Sequence, residues 1–373
     1  MPCAAPNLHF SLRTRLYSVD QNHRGLQLCQ NSLNSSGAGT EAARLTVRIQ
    51  VMNLHRFICA AAIFICAPFL QTAPGRSPKL SVPAAASATV EKIYSFDLAG
   101  ATEEARRLER EQPDHPLGYL LEAEALWWKI WCTTADFKYG MTDARRRPKL
   151  ASDQHYLELA AKASSVARER LKAGETAEMR FYAGMGDAFA ARLYGLRLEN
   201  RNTARAGIRA REHLLRAVAL DPQLADADFG LGLYNYYVDT LSGIAKVLRF
   251  FMGIPGGSKQ EGIRQLQHAI AEGLLTPDPA RFYLAMNLHR YDQQYERALA
   301  VIGPLVDKYP SNPLFQLARG DLYAKLGRKE QALACYRAAE AAPVTDAECQ
   351  AHVQQLARAS VAALGNAAAP TDH

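Results

Sequence analysis

A spacing of 34 residues, carried by small side chains, is the feature that most constrains this chain. Ala298 and Ala332 lie 34 apart in two similar stretches. Around Ala332 stand Gly320, Tyr323, Gly327, Tyr336 and Ala339, and around Ala298 stand Phe282, Tyr295, Ile302 and Pro310. A period of this length marks a stacked array in which one unit cannot bury its apolar face alone. The units are helical. From Val90 onward the sequence is rich in Ala, Leu, Arg and Glu, with apolar residues at i, i+3, i+4 and i+7 and no strand-like alternation. Pro and Gly punctuate it at intervals that allow helices of roughly 12–20 residues.

These residues resemble the tetratricopeptide repeat superfamily, whose 34-residue unit is a helix–turn–helix. The segment Arg216-Ala-Val-Ala-Leu-Asp-Pro222 matches that family's repeat-ending pattern. The two repeats at 279–342 are clear, and the resemblance weakens upstream over about 250 residues in all. It implies an all-α fold, a right-handed superhelix of hairpins with long helical inserts, over residues 89–365. Physically, small residues such as Gly320 and Ala332 let two helices approach, while Tyr323 and Tyr336 fill space between hairpins.

Two units are stretched. Gly232 and Gly262 take the small positions of the first and second helices of one unit, but stand 30 apart where the repeat has 12. The insert includes the short amphipathic stretch 241–254. Phe181 to Asn200 is likewise longer than one repeat helix, with Thr203 to Leu220 as its partner. This layout looks like a divergent repeat subgroup of bacterial exported proteins.

Export is also suggested by the N-terminal residues. Met52-Asn-Leu-His-Arg56 precedes a 14-residue apolar run, Phe57 to Leu70, which is the layout of a signal peptide and short for a membrane span. The reading is a signal peptide or anchor at 52–73, a Pro/Ala-rich linker at 74–88, a mis-annotated or disordered segment at 1–51 and a disordered tail at 366–373. Residues 1–88 hold eight of the 44 Lys and Arg but two of the 37 acids. The body is therefore electrically balanced, which argues against a nucleic-acid surface. Of seven cysteines, 132, 335 and 349 lie in the body, with no zinc spacing. Cys335 and Cys349 could meet across adjacent helices, and buried free thiols are the expected state.

No catalytic motif emerges. Gly253 to Gln260 hints at a phosphate loop, but Ser258 and Gln260 break the pattern and no strand precedes it, so a Gly-rich turn into a helix is expected. His115, His155, His213, His268, His289 and His352 show no ligand spacing. Neither cofactor nor metal is expected, and the chain reads as a non-catalytic scaffold for a protein or peptide partner. Trp127, Trp128 and Trp131 all read as core, the first and last sharing a helix face, with Trp128 the first candidate among them to line a binding surface. The resemblance puts a partner on a concave face of first helices, made of Phe229, Tyr236, Tyr283, Asn287, Arg290 and Asp321. The family's carboxylate clamp is not expected: Tyr283 stands where a Lys is needed, and Leu314 and Ala318 occupy the next clamp positions. An aromatic groove for apolar or extended peptides fits better. The alternative is a membrane-peripheral or envelope-complex role, through the N-terminal segment or the insert at 241–254.

Overall fold

A computed structural model describes residues 80–134 and 149–366, except 242, 244, 247, 248 and 250–252. The expected segments at 1–51 and 52–73, residues 74–79 of the expected linker, part of the insert at 241–254 and residues 367–373 of the expected tail lie outside the described residues. Among those described there are thirteen helices and no strand. They are α1 Ala84–Tyr94, α2 Leu98–Glu111, α3 Leu117–Thr134, α4 Ser152–Ala173, α5 Ala177–Leu196, α6 Asn200–Leu220 and α7 Asp226–Asp239. After the insert come α8 Lys259–Glu272, α9 Pro277–Arg290, α10 Tyr295–Lys308, α11 Pro313–Lys325, α12 Lys329–Ala341 and α13 Ala347–Asn366. The chain is an all-helical repeat superhelix, as expected. Its first helix starts at Ala84, so the end of the predicted linker belongs to the fold, and Leu80 is already buried.

Local chemistry sets the boundaries. Asp97, Thr176, Ser258 and Asn312 cap α2, α5, α8 and α11 by accepting backbone N–H groups of the first turn. Pro277 and Pro313 occupy first helical positions, where a missing N–H costs nothing. Gly327, at φ +71°, ends α11 and lets Arg328 N donate to Tyr323 O at 2.8 Å, a turn that other residues reach only with strain.

Consecutive helices pair as α1/α2, α3/α4, α5/α6, α7/α8, α9/α10 and α11/α12, with α13 packed after the last. The second helix of each hairpin buries a narrow stripe of small residues: Ala101 and Ala105 on α2, Ala206 and Ala210 on α6, Ala332 and Ala339 on α12. The first helices are buried on nearly every side, as α3 and α11 show. Gly232 and Gly262 meet as the spacing predicted: a Cβ on Gly262 would lie 2.6 Å from Gly232 O. At Gly320 a Cβ would lie 2.6 Å from the Tyr336 ring, so that tyrosine packs inside its own hairpin.

The two ends of the superhelix meet. Asn312 Nδ2 donates to Tyr94 O at 2.9 Å, Ser311 Oγ to Ser95 O at 3.0 Å, and Lys308 pairs with Glu91 at 2.9 Å. Lys129 of α3 pairs with Asp346 at 2.7 Å, and Cys132 of α3 is disulfide-bonded to Cys349 of α13. The expectation of free thiols is thus corrected for this pair, and among the described residues Cys335 is free and buried. Cys349 bonds a residue 217 positions away rather than its neighbour Cys335, because ring closure brings α3 onto α13.

Candidate functional site

The inner helices carry the aromatic residues that sequence reasoning assigned to a concave groove, and closure of the superhelix puts most of them inside. Trp128 is 1% exposed and belongs to the core, as expected of all three tryptophans, so it is no candidate for a binding surface. Its ring lies edge-on to Phe282 and Phe315, at 5.0 and 5.5 Å between centroids, and its Nε1 donates to Glu124 at 3.0 Å. Trp131 packs on Phe282 as well, at 5.2 Å. The face shared by Trp128 and Trp131 therefore meets α9, while Trp127 turns towards Tyr156 of α4.

The predicted partner-binding residues separate into three environments. Phe229 is buried with its ring 5.9 Å from that of Tyr283. Tyr236 is fully buried and ties α7 to α9, with its hydroxyl 2.8 Å from Asp292 Oδ2 and 3.1 Å from Asn287 O. Burial first, then the Asp292 carboxylate, raises that hydroxyl well above the usual phenol range. Asp321 is spoken for within its own hairpin, accepting from Tyr336 OH at 2.7 Å.

Tyr283, Asn287 and Arg290 form the third group. They stand at i, i+4 and i+7 on α9, so they share a face. Tyr283 is 7% exposed and Asn287 2%, while Arg290 is half-buried with its guanidinium 5.2 Å from the Tyr291 ring centroid. Tyr283 OH, Asn287 Nδ2 and Arg290 Nη1 are buried and make no close hydrogen bond, although Asn287 lies within reach of the Tyr237 hydroxyl and Tyr283 OH within reach of Arg192 and Trp127. Tyr237 of α7 faces them, its hydroxyl raised mainly by burial and by Tyr291 and Tyr283, and lowered by Arg290 and Asn287. Next along the helix, burial together with Lys325 and Arg290 pushes His289 down to about 4. This corner of the molecule is rich in donors, with the Asp292 carboxylate taken up by Tyr236 and Lys259.

Sequence reasoning missed the charged centre of the fold. Glu124 of α3, 7% exposed, accepts from Trp128 Nε1, from Tyr94 OH at 3.3 Å and from Arg192 Nη2 of α5 at 2.7 Å. Arg192 lies 4.2 Å from the Trp127 ring centre and 4.3 Å from that of Phe189, and bonds Tyr156 OH at 2.9 Å. The one signal in the sequence was the pair Glu122 and Glu124 inside the apolar run Leu120 to Trp131. Arg192, 68 residues away, could not be linked to it.

Among the described residues no group of three or more His, Cys, Asp or Glu side chains could hold a metal ion. Gly253 to Ser258 lead into α8, where Lys259 pairs with Asp292 at 2.6 Å. No family model and no curated protein matches the sequence. Among solved structures, the chain is similar to one in the crystal structure of the APC/C hetero-tetramer Cut9-Hcn1. Identity is 12%, with 73% of this chain and 48% of that one covered and a TM-score of 0.32. This chain therefore spans about half the length of the solved chain it matches.

Proposed function

We propose that the protein is an exported, non-catalytic helical-repeat scaffold that binds a protein or peptide partner at the rim between α7 and α9. The carrying observation is the end of α9, where Asn287 Nδ2 and Arg290 Nη1 keep donor capacity that no close protein acceptor fills. Buried donors in native proteins are paired in the great majority of cases. Two such donors about one turn apart on a helix can be met by the carbonyls of an extended segment. The half-exposed Arg290 and Tyr291 form the rim through which such a segment reaches Asn287. Export draws support from the apolar run after Met52 and from the Cys132–Cys349 disulfide, a bond that persists in oxidising compartments.

The test is crosslinking and pulldown from the native envelope with wild-type and Arg290→Ala protein. We expect the variant to lose its partner, by about tenfold or more in affinity, with the melting temperature held. Capture unchanged in Arg290→Ala and in Tyr291→Ala would sink the reading. The membrane-peripheral alternative rests on Leu241, 40% exposed at the start of the insert. Among the described residues no helix is long and apolar enough to cross a membrane. Co-sedimentation with anionic liposomes, abolished by Leu241→Asp, would favour that alternative over the scaffold.

A further inference from the structure

Between α1, α3, α5 and α7, closed at one end by the turn that enters α9, lies a cavity of about 60 Å³. A single water needs only ~10–15 Å³ of such space, so this is more than an accident of packing. Its walls are apolar: Ile93 from α1, Leu121 from α3, Phe181 and Met185 from α5, Phe229 from α7. All five are buried, and of all the lining residues only Val90 and Leu275 are half-exposed. The mouth therefore lies between these two side chains, where α1 faces the turn before α9.

The polar groups that reach the cavity are already engaged. Glu124 holds Tyr94 OH, Trp128 Nε1 and Arg192 Nη2. Thr276 Oγ1 donates to Asp226 Oδ1 at 2.9 Å, and Tyr182 OH donates to Glu178 Oε1 at 3.4 Å. Each of these groups already has a partner, so water inside would gain few of the two to four hydrogen bonds that a stable buried water needs. A ligand bearing a charge would be desolvated without compensation. An apolar group, by contrast, recovers the dispersion contacts that the empty walls lack. An apolar cavity of about 150 Å³ takes in a benzene-sized molecule. The enclosed part here accepts the end of such a molecule, with the rest lying in the mouth.

We propose that this cavity is a binding site for a small, uncharged apolar molecule, an alkyl or aryl compound entering between Val90 and Leu275. A cavity of about 60 Å³ suits a free small molecule better than a protein segment. The site is independent of the partner rim on α9, so either can fail without the other.

The test is a titration of the full, oxidised chain, following the methyl resonance of Met185, with toluene and with benzoate as the charged probe of similar size. Toluene is expected to shift the Met185 methyl saturably, and benzoate is expected to leave it unmoved. Val90→Phe and Leu275→Phe each obstruct the mouth from a half-exposed position and are expected to weaken toluene binding at least tenfold. Either folded variant suffices, with circular dichroism as the check on folding. The proposal is overturned if toluene gives no saturable shift at Met185, or if benzoate shifts it equally. A folded variant that binds toluene with unchanged affinity also overturns it.

Discussion

At the scale of single residues, the interior chemistry concerns carboxylates held away from water. Glu109 of α2 is pushed up to about 7 by burial, helped by its hydrogen bond to Glu122 and by repulsion from that carboxylate. Its folded value lies above the ordinary 4.5, so the folded state holds a proton that the unfolded chain releases between pH 4.5 and 7. The stabilisation is complete below pH 4.5 and is lost as pH rises through 7. Glu109→Gln mimics the neutral form and should raise the melting temperature by about 2–4 °C at pH 8, roughly 1 kcal/mol after solvent screening. No difference is expected at pH 4.5, and thermal melts at the two pH values check this. Arg192 is a sharper case. Removing it leaves Glu124 ionised in the core, so Arg192→Leu should cost about 3–5 kcal/mol. Adding Glu124→Gln should recover part of that loss, as a double-mutant denaturation cycle would show.

At the scale of elements, close approach between helices is the property most open to direct test. Gly262 on α8 faces Gly232 on α7, and its Cβ would meet backbone that cannot move aside. Gly262→Ala should destabilise by about 1–3 kcal/mol. Gly207 on α6 is the internal control, because a Cβ there meets only the Tyr234 ring, at an ordinary 3.9 Å. Gly207→Ala should stabilise by about 0.5–1 kcal/mol through helix propensity. Urea melts of the two variants should move in opposite directions. The hairpins were legible in the sequence for this reason: small positions such as Gly320 and Ala332 stand at a fixed spacing within a unit, and Gly232 with Gly262 differs only by the insert between them. The concave face was only half legible. The i, i+4, i+7 row of Tyr283, Asn287 and Arg290 follows from helix geometry alone. What covers Phe229 and Phe282 depends on α1 and α3 arriving from the far end of the chain, and no local pattern encodes that.

At the scale of the molecule, closure is the governing feature, and it was invisible in the sequence because Cys132 and Cys349 stand 217 residues apart. Cross-linking so long a loop restricts the unfolded chain strongly. The double variant Cys132→Ser, Cys349→Ser should therefore lose about 2–5 kcal/mol while keeping its helix content. Far-UV circular dichroism with thermal denaturation would check both parts.

The same bond governs how the molecule carries load. When the chain is pulled from its two termini, tension runs along the backbone to Cys132, crosses the sulfur bridge and leaves through Cys349. Everything between the two cysteines is shielded from the force, a hidden length of about 700–800 Å at full extension. Under oxidising conditions only the segments outside the bridge can lengthen, so most of the hairpins stay mechanically silent. Stretching single molecules with and without a reductant should show the missing length appear on reduction.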